Sequence, residues 1–211
     1  MKNSDFNGVF VFHIGRAKTG STFLQKKIFA KMKNINFMGK IKFKEFELKD
    51  CINIISDETI TEKNDFITYM LSIKKCFPDV KIIYCSRNDK DYFKSVYKTY
   101  LMLGYPYSFN RFVGDSKVLS DYNICKFLKH NFKDNLYIYN FNWFKNNKIE
   151  LINSLCNFIG YKGFIKFDNA IVNKSISSFG CFFLRVINRI LFVFGVNSIM
   201  YGVMKFIRKD W

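Results

Sequence analysis

A short polar loop between two glycines is the part of this sequence best suited to chemistry. Gly15 follows the apolar run 9–14, Gly20 closes the loop, and a helical pattern begins at Ser21. In a strand–loop–helix arrangement, backbone N–H groups of the loop and the first helical turn point to one spot, which the helix dipole makes positive. Lys18 adds a full positive charge inside the loop. These residues predict a binding site for an anionic group such as a phosphate.

The spacing of the loop narrows the identity of the anion. The Walker A loop of ATP-binding proteins, G-x-x-x-x-G-K-[ST], has a lysine directly after the second glycine and a hydroxyl that holds Mg²⁺. Gly15 and Gly20 have this spacing, but Ser21 occupies the lysine position and Lys18 lies within the loop. The hydroxyls of Ser21 and Thr22 are further donors. The sequence favours a less charged, phosphate-like group over a magnesium-bound triphosphate.

A second candidate phosphate ligand is Arg87, which comes directly after the apolar run 80–86. A guanidinium group can bind a phosphate through two coplanar hydrogen bonds. Ser95 lies eight residues later in a predicted helix, and its hydroxyl can donate another hydrogen bond. The alternative interpretation of Arg87 is a surface ion pair with Asp89 or Asp91.

Strands and helices alternate along the chain, which predicts a parallel sheet with helices on both faces. The predicted strands and helices are, in turn, 9–14, 51–56, 80–86 and 136–139, and 21–33, 62–76, 89–103, 117–130 and 148–159. Thr61 is the predicted cap of the second helix, and 104–108 is predicted to be an exposed loop. In such sheets ligands bind beyond the carboxyl ends of the strands. The polar residues after positions 14, 55 and 86 all lie at carboxyl ends, so we expect them to meet at one edge.

The loop and Arg87 together resemble one known family. Sulfotransferases that use 3′-phosphoadenosine-5′-phosphosulfate (PAPS) have a 5′-phosphosulfate loop with the core K-T/G-G-[ST]-[ST], similar to Lys18-Thr19-Gly20-Ser21-Thr22. The bacterial carbohydrate-modifying branch is similar to the longer pattern His13-Ile14-Gly15…Ser21-Thr22…Leu24-Gln25. The resemblance extends over residues 8–178. It implies a P-loop-like three-layer α/β sandwich, PAPS as the cofactor, no required metal, and transfer of a sulfuryl group to a hydroxyl.

The resemblance also implies roles for individual residues. The loop that would hold the 5′-phosphosulfate consists of Arg16, Ala17, Lys18, Thr19, Gly20, Ser21 and Thr22. Arg87 and Ser95 match the family's 3′-phosphate motif. Lys174, in a segment similar to the family's Asn-x-Ser-x-Ser element, is a further candidate phosphate contact. Lys18 would also neutralise the negative charge that develops on the leaving group.

Transfer to a hydroxyl requires a general base that takes the proton. Glu58 is the leading candidate, because it resembles the glutamate of a Ser-x-Glu or Ser-Glu element between the two cofactor motifs of bacterial and glycan sulfotransferases. Asp57 is the second candidate. His13 is the third, although a histidine at a strand end is more often packed and hydrogen-bonded than catalytic.

The composition of the chain limits which classes of protein it can belong to. The chain has 211 residues, of which 49% are hydrophobic, and this predicts a folded globular protein. The net charge of +17 suits an anionic cofactor, an acidic glycan, an anionic membrane or nucleic acid, and the codon usage of an AT-rich genome would also raise the lysine content.

Six widely spaced cysteines and two histidines argue against a zinc site. Without an apolar leader, the chain is expected to be cytoplasmic with buried, reduced thiols.

The last part of the chain, 179–211, differs from the rest. Its apolar runs are interrupted by Arg185, Arg189 and Gly195, and neither reaches the ~20 residues that a membrane-spanning helix needs. The sequence thus predicts a sulfotransferase-like α/β domain over 1–178 and a basic, apolar helical tail over 179–211. The tail would either cover the sheet or lie on a membrane surface at the inner face of the membrane.

The resemblance implies that the acceptor is a hydroxyl of a sugar, a glycolipid or a surface polysaccharide, and nucleic acid is not an expected partner. Two other functions stay open at this point. One is a nucleotide kinase or NTPase with a deviant P-loop, although no convincing Walker B strand ends in aspartate. The other is a basic module that binds nucleic acid or anionic lipid.

Overall fold

A five-stranded parallel sheet is the framework of the fold. The computed structural model describes residues 8–39, 47–167 and 177–194. The strands are β1 (Val9–Gly15), β2 (Ile35–Met38), β3 (Ile52–Asp57), β4 (Lys81–Ser86) and β5 (Leu136–Asn140). Their order in the sheet is β2-β3-β1-β4-β5, and every neighbouring pair is parallel.

The central strand β1 is apolar on both faces, as is typical of parallel strands covered on both sides. Phe12 and Ile14 are buried on one face, and Val11 is buried on the other. In the register of the sheet, Ile14 lies opposite Asp57 of β3, and Gly15 lies opposite Cys85 of β4. The carboxyl ends of β1, β3 and β4 therefore meet at one edge, which confirms the prediction from the three polar strand ends.

Helices connect the strands. They are α1 (Ser21–Phe23), α2 (Phe66–Cys76), α3 (Asp89–Met102), α4 (Phe109–Gly114), α5 (Asp121–Phe132), α6 (Phe141–Asn146), α7 (Lys148–Ile159) and α8 (Ser178–Val193). The α7 helix has the predicted bounds. The helices α4 and α6 are short additions that the sequence analysis did not predict, and α5 begins four residues later than predicted.

Each face of the sheet has its own helical layer. The segment that begins with α1 packs on one face together with α6 and α7, where Leu24, Phe144 and Leu155 are buried against Val11. The other face is covered by α2 and α5, through Met70, Leu128 and their buried neighbours. The result is the predicted three-layer α/β sandwich, with an apolar core on each side of the sheet.

Two helix predictions were wrong in detail. The predicted regular helix over 21–33 is α-helical only at Ser21–Phe23, then continues as a π-helical segment (Leu24–Ile28) and a 3₁₀ turn (Phe29–Lys31). Thr61 caps no helix: its hydroxyl donates to the carbonyl of Gly15 at 2.9 Å, inside a 3₁₀ turn. The helix predicted from residue 62 begins only at Phe66.

The chain forms two compact units. The described residues of Met1–Asp89 and Lys117–Val172 belong to the first unit, and those of Lys90–Ser116 and Asn173–Trp211 to the second. The sheet lies in the first unit. In the second, the buried Asn188 of α8 donates to the carbonyls of Leu101 (2.7 Å) and Tyr105 (3.3 Å). The predicted boundary at residue 178 stays a prediction.

Two further expectations concern exposure. Segment 104–108 was predicted to be exposed, but Tyr105 and Tyr107 are half-buried because they pack against neighbouring aromatic rings of the second unit. The six cysteines are free thiols, of which only Cys85 is fully buried and Cys76 is exposed, so their predicted burial was largely wrong. Within the described ranges, no helix combines the length and apolar character needed to cross a membrane.

Candidate functional site

The loop after β1 has the backbone shape of an anion-binding turn. Lys18 has φ 66° and Gly20 has φ 80°, both in the left-handed region. Left-handed residues in such a loop turn successive N–H groups toward one side, which creates a concavity for an anion. The hydroxyl of Thr19 donates to the carbonyl of Arg16 at 2.6 Å and closes the turn from within. Lys18 is exposed whereas Arg16 and Thr19 are fully buried, so the lysine is the loop side chain that faces solvent.

The first helical turn continues this surface. Ser21 is buried beside Thr19, with 3.5 Å between the two hydroxyl oxygens, and Thr22 is half-buried. The first N–H groups of a helix have no intrahelical acceptor, so they are available to an anion. Ala17 is half-buried at the start of the loop.

Gly20 is required by its surroundings as well as by its backbone angle. A Cβ at this position would lie 2.6 Å from Cε1 of Phe144, a buried ring of α6. We expect Gly20→Ala to lower the free energy of unfolding by roughly 2–5 kcal/mol, from left-handed strain together with overpacking. Denaturant unfolding would measure this, with Gly114→Ala as the control because a Cβ there meets no atom within 4 Å. Equal stability of the two variants would contradict the argument.

Arg87 lies against the loop. Its Nη1 donates to the carbonyl oxygen of Lys18, and its guanidinium carbon lies 4.5 Å from the ring centre of Phe141 in α6. Its backbone N–H donates to Asp121 Oδ1 at 3.1 Å. Lys18 and Arg87, predicted from two separate motifs, are therefore adjacent in the fold, although 69 positions separate them in the chain.

Two carboxylates, Asp121 and Asp89, hold this arrangement in place. The sequence analysis assigned Asp121 no role and suggested Asp89 only as an ion-pair partner of Arg87, whereas Asp89 pairs with Arg16. Asp121 accepts hydrogen bonds from the hydroxyls of Tyr84 and Ser86, each at 2.7 Å, and so fixes the end of β4. Burial and the nearby Asp121 carboxylate raise the pKa of Tyr84, which keeps the phenol protonated as a donor. Asp89 pairs with the buried Arg16 and accepts the N–H of Asp121 at 3.0 Å.

The end of β3 carries the candidate bases. Asp57 is buried, and its Oδ1 accepts the N–H and the hydroxyl of Thr59 at 2.9 and 2.7 Å. Its geometry is that of a turn-forming aspartate. Glu58 is half-buried, and no hydrogen bond to its carboxylate is made from the described part of the chain. Of these two neighbours, Glu58 has the carboxylate that is not already engaged in the turn.

A third acidic residue near the loop is Glu62, which the sequence analysis missed. Its Oε1 accepts the N–H of Ala17 at 3.3 Å, across the turn that also places Thr61 on Gly15. The signal that could have found it is the acidic residue four positions after Glu58, on the same connection. The contact places a carboxylate beside the start of the candidate anion-binding loop.

His13 is packed and hydrogen-bonded, as expected for a strand-end histidine. It is fully buried, its Nδ1 lies 2.7 Å from the hydroxyl of Ser56, and that hydroxyl accepts from Gln25 at 2.9 Å. Burial lowers the pKa of His13 to about 4, so the ring is neutral at pH 7. This environment is better suited to joining β1, β3 and the adjoining helical segment than to taking a proton from a substrate.

Two residues that were predicted to bind the cofactor are not among the contacts described above. Ser95 is half-buried on α3 and belongs to the second unit. Lys174 lies outside the described residues.

The donor set of the first unit suits a phosphate-bearing ligand. The loop offers backbone N–H groups, hydroxyls and an ammonium group, and Arg87 adds a guanidinium beside it. All of these are hydrogen-bond donors, and two carry positive charge, as anion recognition requires. A nucleotide with phosphate groups at two positions would match the two kinds of donor.

Comparison with known proteins agrees with this geometry. Residues 10–183 match the family described as "Sulfotransferase domain". Mouse sulfotransferase SULT7A1 complexed with PAP has a similar structure, with a TM-score of 0.53 and 17% identity over 74% of this chain and 60% of the mouse chain. A sulfotransferase from Alicyclobacillus acidocaldarius has a TM-score of 0.58 and 13% identity over 93% of this chain and 95% of its own.

No curated protein matched the sequence. At such low identities the two solved structures support the fold alone, whereas the family match extends over most of the sequence. This chain belongs to the sulfotransferase family.

Proposed function

We propose that this protein transfers a sulfuryl group from PAPS to a hydroxyl of a carbohydrate, a glycolipid or a surface polysaccharide. One observation carries the proposal: Arg87, at the end of β4, donates a hydrogen bond to the carbonyl of Lys18 in the loop after β1. This contact puts a candidate 3′-phosphate ligand next to a candidate 5′-phosphosulfate loop. The mouse relative, which is complexed with PAP, supports the same choice of cofactor.

Each part of the site has a role in this proposal. PAPS supplies an activated sulfuryl group whose S–O bond to the 5′-phosphate breaks during transfer. The loop from Arg16 to Thr22 binds that phosphate through N–H groups and hydroxyls, and Lys18 stabilises the negative charge left on it. Arg87 binds the 3′-phosphate, with Ser95 and Lys174 as further proposed ligands. Glu58 takes the proton of the acceptor hydroxyl, with Asp57 and His13 as the less favoured bases.

The acceptor and the location are proposals of the same kind. Carbohydrate acceptors follow from the resemblance of the loop to the bacterial carbohydrate-modifying sulfotransferases. We propose a cytoplasmic enzyme that works at the inner face of the membrane when its acceptor is a glycolipid. The candidate acceptor-binding segments are 34–50, which follows the loop in the sequence, and 104–116, which follows Ser95, and their aromatic residues suit contacts with sugar rings.

Thermal unfolding with and without nucleotide tests the cofactor. PAP, the bisphosphate product, is expected to raise the melting temperature by several degrees at ~100 times its dissociation constant. ATP with Mg²⁺ is expected to have little effect, because Ser21 occupies the position of the Walker lysine. A shift with ATP–Mg²⁺ alone would indicate a kinase instead. If neither nucleotide changed the melting temperature, a binding module without this cofactor would be the better interpretation.

The 3′-phosphate role of Arg87 gives a sharper test. Arg87→Ala is expected to weaken PAP binding by at least about tenfold, since charged hydrogen bonds to phosphate contribute ~1.5–3 kcal/mol. Binding of adenosine 5′-phosphosulfate, which lacks the 3′-phosphate, should change much less. Titration calorimetry with both ligands measures the difference, and Arg87→Lys controls for the loss of charge alone. Equal losses for the two ligands would exclude a 3′-phosphate role.

A further inference from the structure

The α8 helix exposes a continuous apolar stripe. Six residues at helical spacing share one side of it and are 41% to 78% exposed: Phe179, Phe182, Phe183, Val186, Ile190 and Val193. The opposite side packs within its own unit, where Asn188 is fully buried and binds the end of α3. The helix is therefore apolar on two sides, and only one of them is used in packing among the described residues.

The stripe is too long to be ordinary surface. From Phe179 to Val193 it extends for about 21 Å, at 1.5 Å per residue. Isolated exposed apolar residues are normal on protein surfaces, but contiguous patches of this size mark interaction sites. Three of its six residues are phenylalanines and the other three are valines or isoleucine, and large apolar side chains gain most when they leave water.

Charge indicates which partner fits. At 100° per residue, Arg185 and Arg189 lie together along one edge of the stripe, and both are exposed. No acidic residue occurs between positions 177 and 194. The sequence that follows, 195–211, adds Lys205, Arg208 and Lys209 against a single Asp210. A second copy of this chain would bring the same positive charges together, whereas an anionic surface would pair with them.

We propose that α8 binds anionic membranes by lying in the plane of the lipid–water interface. The phenylalanines enter the region below the headgroups, and Arg185 and Arg189 pair with lipid phosphates. This binding does not depend on the sulfuryl-transfer activity. It would bring the enzyme to membranes that hold lipid-linked acceptors, which is its connection to the proposed function.

The experiment is flotation of the full chain with vesicles. We expect binding to vesicles of phosphatidylcholine and phosphatidylglycerol, weak binding to phosphatidylcholine alone, and partial release at ~1 M salt, where the Debye length falls to about 3 Å. The double variant Phe182→Ser with Phe183→Ser is expected to weaken binding at least tenfold, because each change removes a large apolar side chain from the lipid. Arg185→Gln with Arg189→Gln should reduce binding to the anionic vesicles only.

The matched control replaces exposed apolar residues elsewhere, Ile149→Ser with Phe164→Ser, which are 63% and 89% exposed in the first unit. This control should bind vesicles like the unchanged protein. Thermal unfolding with PAP checks folding and cofactor binding separately from lipid binding. Absence of vesicle binding would overturn the proposal, and so would equal binding by the Phe182→Ser, Phe183→Ser variant and the Ile149→Ser, Phe164→Ser control. If sedimentation instead showed a dimer that the Phe182→Ser, Phe183→Ser variant dissociates and the Ile149→Ser, Phe164→Ser control does not, the stripe would be a contact between copies.

Discussion

Replacing Lys18 by alanine is expected to lower turnover by roughly 10²–10³-fold, the effect of removing one preorganised donor from developing negative charge. Lys18 is the exposed, positively charged side chain at the centre of the left-handed loop, and its carbonyl is bound by Arg87. Alanine keeps the Cβ, so the left-handed backbone is under the same strain in both proteins. The fold should therefore be intact and the loss should appear in turnover.

Steady-state kinetics with PAPS and a hydroxyl acceptor measure the loss, and the melting temperature reports on the fold. Lys26→Ala is the matched control, because Lys26 is an exposed lysine on the following helical segment. Full activity of the Lys18 variant would contradict the proposed site. Equal losses of turnover in the two variants would mean that the effect comes from the overall positive charge of the protein and not from the loop.

The second large effect is expected for Glu58→Gln, which should lower turnover by about 10²–10⁴-fold if Glu58 is the general base. Glutamine keeps the shape and polarity of the side chain but cannot accept a proton. PAP should still raise the melting temperature of this variant, because the base acts on the acceptor and not on the nucleotide. Stopped assays of sulfated product, together with thermal unfolding, separate the two properties.

Glu62→Gln is the informative comparison, since Glu62 is bonded to the N–H of Ala17 while Glu58 is not engaged in this way. We expect Glu62→Gln to change cofactor affinity more than turnover. If turnover were lost in the Glu62 variant and kept in the Glu58 variant, Glu62 would be the base. Asp57→Asn should mainly destabilise the turn at Thr59, where Asp57 accepts two hydrogen bonds.

The sheet, and the meeting of its polar strand ends at one edge, could be predicted because their signals are local. Strands buried on both faces are continuous apolar runs, and the residues after β1, β3 and β4 change abruptly to polar. The position of the loop followed from two glycines, one of which has a left-handed backbone that glycine adopts easily. These features are determined by neighbours in the sequence.

The support beneath the site could not be predicted because its partners are distant in the chain. Arg16 pairs with Asp89, which is 73 residues away. Asp121, in α5, accepts hydrogen bonds from Tyr84, Ser86 and Arg87 near the end of β4. A charged residue in a sequence does not reveal its partner until the strands are placed. Thr61 is a second example of a partner that the sequence does not reveal. A hydroxyl residue before a helical pattern predicts a helix cap, but in the fold the Thr61 hydroxyl donates to the carbonyl of Gly15.

The sequence pattern also could not predict that the first helix would depart from regular α-helical hydrogen bonding. Apolar residues at Phe23, Leu24 and Ile28 predict an amphipathic helix, and all three are buried. The pattern is compatible with either α- or π-type hydrogen bonding, since both place these side chains against the sheet. The local hydrogen bonding was therefore not fixed by periodicity alone.

The hydrogen bond from Arg87 to the carbonyl of Lys18 has a thermodynamic consequence. Under the proposed function, one side chain would bind the 3′-phosphate and also brace the 5′ loop, so the two ends of the nucleotide would be bound by coupled parts of the site. The energetic effects of altering Lys18 and Arg87 should not add, since residues in contact interact in double-mutant cycles. A nucleotide that fills only one end would thus prepare the other, and selection for the complete cofactor would be cooperative within a single binding site.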